Sequence, residues 1–331
     1  MPLLWSEMTG KTMKAIVCTR YGPPEVLQLR DVEKPAPGKN EVCMRIFATA
    51  VTASDCIIRG FKVPLKLWLP MGLAVGFTRP RRPILGMVFA GEVESMGEDV
   101  ESFKKGDQVF GLDRFTFGTY AEYKCMSEDG TLATKPTNLT YEEAAAIPYG
   151  GLLALHFLKK GNIQAGQRIL VYGASGAIGT SAVQLAKSFG AEVTGVCSTP
   201  NLDLVKSLGA DTVIDYTKDE FGNKDMRYDL VFDAVGKRKS SKLKLLSKKM
   251  LTPNGRYLSV DDGHPKLQVK ELIFLKELAE ARKIEPVIDR CYRLEQTAEA
   301  HWYVDSGHKK GNVAITVHDD GVGETMPEGR P

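Results

Sequence analysis

Short runs of consecutive apolar residues alternate with helical periodicity through the middle of the chain. Residues 169–172 form such a run and predict a buried strand. Ile178, Val183, Leu185 and Ala186 then fall on one side of a predicted helix that ends at Phe189. Further strands are predicted at 192–197, 212–216, 228–235 and 256–260, with helices at 202–208 and 240–250. Strands alternating with helices at this rhythm give a parallel sheet covered on both faces, an α/β doubly wound (Rossmann) domain.

Residues 13–137 have another texture. Strands are predicted at 14–19, 26–32, 41–51, 88–95, 107–112 and 119–126, separated by turn signals such as Tyr21-Gly-Pro-Pro and Pro35-Ala-Pro-Gly. That pattern predicts a partly open β-barrel. The expected organisation is a barrel domain over 13–137 and a doubly wound domain over 138–284. A return to the barrel follows over 285–318, through residues 285–289, a helix at 294–304 and a strand at 312–317. Residues 1–12 are expected to be a disordered leader, and the acidic, Gly- and Pro-rich 319–331 a disordered tail. A cleft between the two domains is the expected ligand site.

The junction after the first central strand carries the strongest chemical signal. Gly173, Gly176 and Gly179 stand at spacing three between the strand and its helix. Strand, glycine turn and helix in that order cradle a dinucleotide pyrophosphate, because a Cβ would hold the backbone away from the phosphates. The helix N-terminus adds free N–H groups and a positive dipole end. Ala174, Ser175, Gly176, Ala177, Ile178 and Gly179 are therefore the candidate pyrophosphate contacts.

Composition narrows the setting. A length of 331 residues fits about two domains, and 43% hydrophobic residues supply a sizeable core. A net charge of +3 gives no basis for a nucleic-acid or membrane partner. No apolar run is long enough to span a bilayer. Six cysteines, at 18, 43, 56, 125, 197 and 291, have no two near each other and include no Cys-x-x-Cys. They read as reduced, mostly buried thiols of a cytoplasmic protein. His301 and His308 lie seven apart, on one predicted helix, and read as a satisfied or solvated pair, since no third metal ligand is in reach by sequence.

Several segments carry a family resemblance. They are Met13-Lys-Ala-Ile-Val, Tyr21-Gly-Pro-Pro-Glu-Val-Leu-Gln-Leu, Pro37-Gly-Lys-Asn-Glu-Val and Gly86-Met-Val-Phe-Ala-Gly91-Glu-Val-Glu-Ser-Met-Gly97. Phe103-Lys-Lys-Gly-Asp-Gln-Val-Phe-Gly111, Gly118-Thr-Tyr-Ala-Glu-Tyr123 and Ala165-Gly-Gln-Arg-Ile-Leu-Val join them, with the glycine turn. In this order they resemble the medium-chain dehydrogenase/reductase superfamily on its zinc-free quinone oxidoreductase branch, over about residues 13–317. The resemblance implies a GroES-like catalytic domain for the barrel. It also exposes departures. Gly86-Met87-Val88 stands where zinc-dependent members carry Gly-His-Glu, and Thr52, three residues before Asp55, stands where they carry a catalytic cysteine. A thioether and a hydroxyl do not make a three-ligand catalytic zinc site, so no metal is expected. Cys56 reads as a packed thiol. Leu153 stands where the family often has a threonine near the nicotinamide.

The second strand of the doubly wound domain ends in Val196-Cys-Ser-Thr-Pro-Asn201, which has no carboxylate to repel a 2′-phosphate. Ser198 and Thr199 are candidate donors to that phosphate, the alternative being that they cap the next helix. Tyr216 stands where the zinc-free branch often contacts it. NADPH is favoured as cofactor, with NADH as the alternative. Val235, Gly236 and Ser259, at the ends of later strands, are expected to border the cofactor.

The resemblance implies hydride transfer to a quinone or an α,β-unsaturated carbonyl. Thr52 is the candidate polar group facing the nicotinamide, and Tyr149 the candidate proton donor, its rival role being a structural hydrogen bond. Asp55 and Arg59 have the spacing of a one-turn helical ion pair. Trp68, Leu69, Met71 and Leu73, in the apolar segment 61–82, either wall a cleft for a small hydrophobic substrate or pack in the core. Only eight residues, 261–268, stand where the family's dimer strand would be, so a monomer or weak homodimer is expected. Two other readings stand beside this one. An enoyl-thioester reductase would use Arg79, Arg81 and Arg82 as a basic mouth, and a non-catalytic NADPH-binding protein would turn over nothing.

Overall fold

The structure, a computed structural model, describes residues 11–62, 65–218, 226–236, 242–263 and 265–318. Most of the expected leader, the whole expected tail and the expected helix start at Ser240 lie outside the described residues. The chain forms two compact units. One takes the chain through Lys135, Arg290–Gly307 and the residues from Val313; the other takes Pro136–Asp289 and His308–Asn312.

In the first unit, β1 (Thr12–Cys18) and β2 (Leu27–Glu33) make an antiparallel hairpin. There follow β3 (Glu41–Ala50), α1 (Ala53–Gly60), α2 (Leu65–Val75), β4 (Val88–Met96), β5 (Gln108–Leu112), β6 (Tyr123–Ser127) and β7 (Thr131–Thr134). Val42, Met44 and Ile46 of β3 alternate into a core with Phe89, Val93, Val109, Met126 and Leu132. The strand expected at 119–126 is shorter than predicted. Residues 119–122 instead run beside β1, with Ala121 bridged to Ala15, and the ladder proper starts at Tyr123. The apolar segment at 61–82 holds a helix, α2, that interrupts itself with Pro70. Trp68, Leu69 and Leu73 are exposed there, at 45%, 59% and 56%, so the core alternative fails for them.

In the second unit come α3 (Tyr141–Lys160), β8 (Arg168–Tyr172), α4 (Ala177–Ser188), β9 (Glu192–Cys197), α5 (Leu202–Ser207), β10 (Thr212–Asp215), β11 (Tyr228–Asp233), α6 (Lys242–Lys249), β12 (Leu251–Ser259) and α7 (Val269–Glu280). The strands pair in parallel in the order β10-β9-β8-β11-β12. This is the doubly wound sheet, with β8 central and flanked by β9 and β11. Strand β8 is buried at every residue after Arg168, as a strand covered on both faces must be. The edge strand β12 starts five residues before the predicted 256. Its pairing with β11 skips residues 252–255, where Pro253 interrupts any donor ladder.

Helix α3 has no counterpart in the sequence prediction, because Pro148, Gly150 and Gly151 inside it are poor helix formers that break its pattern. Thr140 and Glu143 form a capping box at its start. A Cβ on Gly150 would sit 2.3 Å from the carbonyl of Ala177, so the glycine is there to let α3 touch the start of α4. The chain closes with β13 (Ile288–Arg293), α8 (Thr297–Ser306) and β14 (Asn312–Thr316). These strands extend a seven-stranded sheet ordered β13-β14-β3-β4-β5-β7, with β6 also paired to β3.

Candidate cofactor-binding site

The three glycines of the turn serve three different needs. Gly173 has φ +82, a left-handed conformation, and a Cβ there would meet the Val235 side chain at 2.3 Å. Gly179 has ordinary φ, but a Cβ would lie 2.1 Å from the carbonyl of Gly173, so α4 packs directly on the turn. Gly176 has neither constraint. Its φ is −83, and a Cβ would find no atom nearer than 3.7 Å. Its bareness leaves the backbone of the turn open at this point.

Gly176 is also the N-cap of α4 and offers no side-chain cap. The first backbone bond of the helix is Thr180 N–H to Gly176 O, so the N–H groups of Ala177, Ile178 and Gly179 have no acceptor within the helix. Gly311 steadies the turn from behind, its N–H donating to the Ser175 carbonyl at 2.8 Å. Ala174 is buried, and its N–H donates to Val196 O.

Beside this cradle the end of β9 is polar. Neither Ser198 nor Thr199 caps the following helix, so that alternative is set aside. Asn201 is buried. Its Nδ2 donates to Ser198 Oγ at 3.0 Å and to Ser175 Oγ at 3.3 Å, and its Oδ1 has no hydrogen-bond partner. A carboxylate is present after all. The β9–β10 pairing sets Asp215 opposite Cys197, and Thr199 Oγ1 donates to Asp215 Oδ2 at 2.5 Å. Hydrogen bonds from Thr199 and then Thr217 hold the Asp215 carboxyl below its ordinary pKa. Tyr216 follows directly and is half exposed, its ring 6.4 Å from that of Tyr172.

At the end of β11, Asp233 organises the next wall. Its Oδ1 accepts from the N–H groups of Val235 and Gly236, both at 3.1 Å, and its Oδ2 from Tyr257 at 2.9 Å and Ser259 at 3.4 Å. Lys244 Nζ pairs with the same Oδ2 at 2.6 Å. Ser259 is thus a support for the turn. Tyr149 is half-buried on α3, one residue before the Gly150 contact with α4.

A second polar cluster lies in the other unit. Thr52 caps α1: its Oγ1 donates to Asp55 Oδ2 at 2.6 Å and accepts from the Asp55 N–H at 3.2 Å. The hydroxyl of this candidate nicotinamide-facing residue is buried and committed to Asp55. The expected Asp55–Arg59 pair gives way to other partners. Arg59, fully buried, pairs with Asp305 of α8 and donates to Gly22 O at 3.0 Å. His301 and His308 do not share a helix face, because α8 ends at Ser306 and His308 is exposed beyond it. His301 is buried between Cys56 Sγ, 3.4 Å from Nδ1, and Tyr120 Oη, 3.2 Å from Nε2. Burial pushes Asp55 up to about 6, against the Thr52 hydrogen bonds. Burial first, and the Arg59 charge second, lower His301 to about 3, so the imidazole is neutral. Desolvation likewise raises the Cys56 thiol, which makes it the packed, protonated group expected.

Residues 38–137 match the family model described as the alcohol dehydrogenase GroES-like domain, and residues 177–280 and 263–315 match models described as zinc-binding dehydrogenase. The chain is 33% identical over 323 residues to the 2-methylene-furan-3-one reductase of Solanum lycopersicum, covering 92% of this chain and 79% of that one. It is 30% identical to the chloroplastic NADPH-dependent alkenal/one oxidoreductase of Arabidopsis thaliana, covering 92% and 80%. The solved quinone oxidoreductase from Coxiella burnetii superposes with a TM-score of 0.78 at 28% identity, covering 93% of this chain and all of that one (100%).

Proposed function

Because the chain belongs to the medium-chain dehydrogenase/reductase superfamily, on its quinone oxidoreductase-like branch, and is an oxidoreductase, we propose a finer reading of its activity. It is a zinc-independent, NADPH-dependent reductase of α,β-unsaturated carbonyls or quinones. One observation carries the cofactor assignment: Gly176 is bare for no reason internal to the fold, at an uncapped helix start. The N–H groups of residues 177–179 hold the pyrophosphate there. Ser175, Ser198 and Asn201 form the polar wall for the adenosine ribose, with Thr199 and Tyr216 at its phosphate. Val235 and Gly236, fixed by Asp233, line the approach to the nicotinamide, and Ser259 supports them.

Bound NADPH supplies the hydride; the chain supplies position and a proton. An enone or quinone that takes a hydride becomes an enolate or phenolate, whose charge spreads without a metal. Tyr149 is the residue we assign as proton donor. Thr52 holds the start of α1 in place through its cap, a positioning role rather than a proton transfer. The zinc-free assignment rests on donor chemistry. Thr52 and the buried Met87 offer a committed hydroxyl and a thioether at the positions of the lost ligands. Among the described residues, no three His, Cys, Asp or Glu side chains are grouped to hold a metal.

The names of the relatives support this substrate class, as do the exposed apolar side chains of α2. No helix among the described residues is long and apolar enough to cross a membrane. We assign a monomer or weak homodimer, and a cytoplasmic setting.

The test is loss of reduced-cofactor absorbance with 2-alkenals, quinones and enoyl thioesters, using NADPH and NADH in turn. Turnover of alkenals or quinones with NADPH is expected, unchanged by a chelator. Turnover of enoyl thioesters alone transfers the assignment to that class. Cofactor binding without turnover of any of them supports a non-catalytic role, and activity lost to a chelator and restored by zinc overturns the metal-free reading.

A further inference from the structure

Two of the six cysteines that lie far apart in sequence meet in the first unit. Strands β3 and β6 are antiparallel, and their register sets Cys43 directly opposite Cys125. The neighbouring pairs fix which kind of site this is. Ile46 N–H donates to Glu122 O at 2.9 Å, and Glu128 N–H to Asn40 O at 3.2 Å. Hydrogen-bonded pairs alternate along an antiparallel ladder, so 40/128, 42/126, 44/124 and 46/122 are of that kind. Cys43/Cys125 therefore occupies a non-hydrogen-bonded position, where side chains are closest and Cα atoms stand roughly 4.5 Å apart. A disulfide accepts Cα separations of about 4.4–6.8 Å.

Cys43 Sγ donates to the Pro35 carbonyl at 3.8 Å, and the register places the Cys125 side chain beside it on the same face. Both cysteines point away from the core, since Val42, Met44 and Met126 take the inner face. Cys43 is buried and Cys125 half-buried. Lys34 stands close by, 2.5 Å from Glu94 and 3.7 Å from the centre of the Tyr123 ring.

We propose that Cys43 and Cys125 are a redox modification site, joined reversibly as an intramolecular disulfide by a peroxide oxidant. The inference is independent of the proposed enzymatic reading. Chemically, the facing Cys125 thiol is the main influence that lowers the Cys43 thiol, and Lys34 adds to it against burial and the Glu94 charge. The facing Cys43 thiol, with burial, pushes the Cys125 thiol up. The half-buried Cys125 is the sulfur open to solvent and peroxide, and the thiol that reacts first gives its proton to water. A thiolate sulfur attacks one peroxide oxygen, the O–O bond breaks, and hydroxide leaves a sulfenic acid behind. The second sulfur attacks the sulfenic sulfur, the S–O bond breaks, and water departs with the remaining proton. Two thiols and one hydrogen peroxide give one disulfide and two waters. A dithiol reductant reverses the step by exchange.

The experiment uses the full chain carrying Cys291→Ser, which removes an exposed thiol and its crosslinks between chains. The protein is treated with hydrogen peroxide, alkylated, digested without reduction and examined by mass spectrometry. The expected result is a linked pair of peptides, one with Cys43 and one with Cys125, two hydrogens lighter than their sum and released by dithiothreitol. Cys43→Ser is expected to remove the link and leave Cys125 trapped as a sulfenic acid by dimedone. Peroxide should raise the melting temperature of the parent chain and not that of Cys125→Ser. The proposal is overturned if the two cysteines are alkylated separately after treatment, or pass to sulfinic acid with no link between them.

Discussion

The glycine turn at 173–179 and the polar cluster around Asp55 answer opposite problems. The turn is made of absent side chains: three glycines, an uncapped helix and first-turn N–H groups with no acceptor within the helix. The cluster is made of crowded ones. Thr52, Asp55, Cys56, Arg59, Tyr120, His301 and Asp305 come from three distant stretches of chain and largely satisfy one another. A surface kept for a ligand must leave donors unspent, whereas a buried polar core must spend them or lose stability. The contrast separates the place proposed to bind from a place that holds.

The largest expected effect lies in the cluster, on acidification. His301 is held near 3 when folded, far below an ordinary imidazole, so the unfolded chain takes up a proton first as pH falls. The stability it contributes is complete above about 6.5 and drains towards pH 3, by roughly 5 kcal/mol in all. Asp55 has the opposite sign. Its folded pKa of about 6 exceeds that of the unfolded carboxyl, so it favours the fold at low pH and penalises it above 6. Urea unfolding from pH 7 down to pH 4 should show a shallower loss in His301→Gln than in the parent. Parallel curves would mean that His301 is not held neutral.

Next comes Arg59→Met, which leaves the Asp305 carboxylate facing a buried side chain that no longer answers it. A loss of about 3–5 kcal/mol is expected in denaturant unfolding. NADPH affinity of the folded protein should be unchanged. The turn should behave the other way. Gly176→Val meets open space, so its melting temperature should move little, while NADPH affinity falls at least about tenfold, or 1.4 kcal/mol. A variant that binds normally would remove the main support for the cofactor site. By contrast, Gly179→Val collides with the Gly173 carbonyl and should lose stability as well as binding.

The smallest effect concerns cofactor choice. Asp215 is ionised and accepts from the Thr199 hydroxyl, so in the proposed NADPH site it competes with the 2′-phosphate for that donor. Asp215→Asn should shift the ratio of NADPH to NADH affinity a few-fold towards NADPH, measured by fluorescence titration. No change in the ratio would place Asp215 outside the phosphate's reach.

Legibility in the sequence followed the same division. The doubly wound sheet and its glycine turn are local: β9 was read to the residue, and α4 to within a few positions. Helix α3 was not, because Pro148 and two glycines disguise a helix whose glycines serve a contact with α4. Asn201 offered no signal, since its importance comes from two serines, one of them on another loop.

The sequence by itself determined the parallel sheet and the turn at its centre. Each is written in consecutive residues, through period, spacing and identity. Only the tertiary structure decided that Asp215 meets Thr199, that Arg59 turns from Asp55 to Asp305, and that Cys43 faces Cys125. Those partners come from strand register and helix packing, which join residues 16 to 246 positions apart, and no local pattern encodes them.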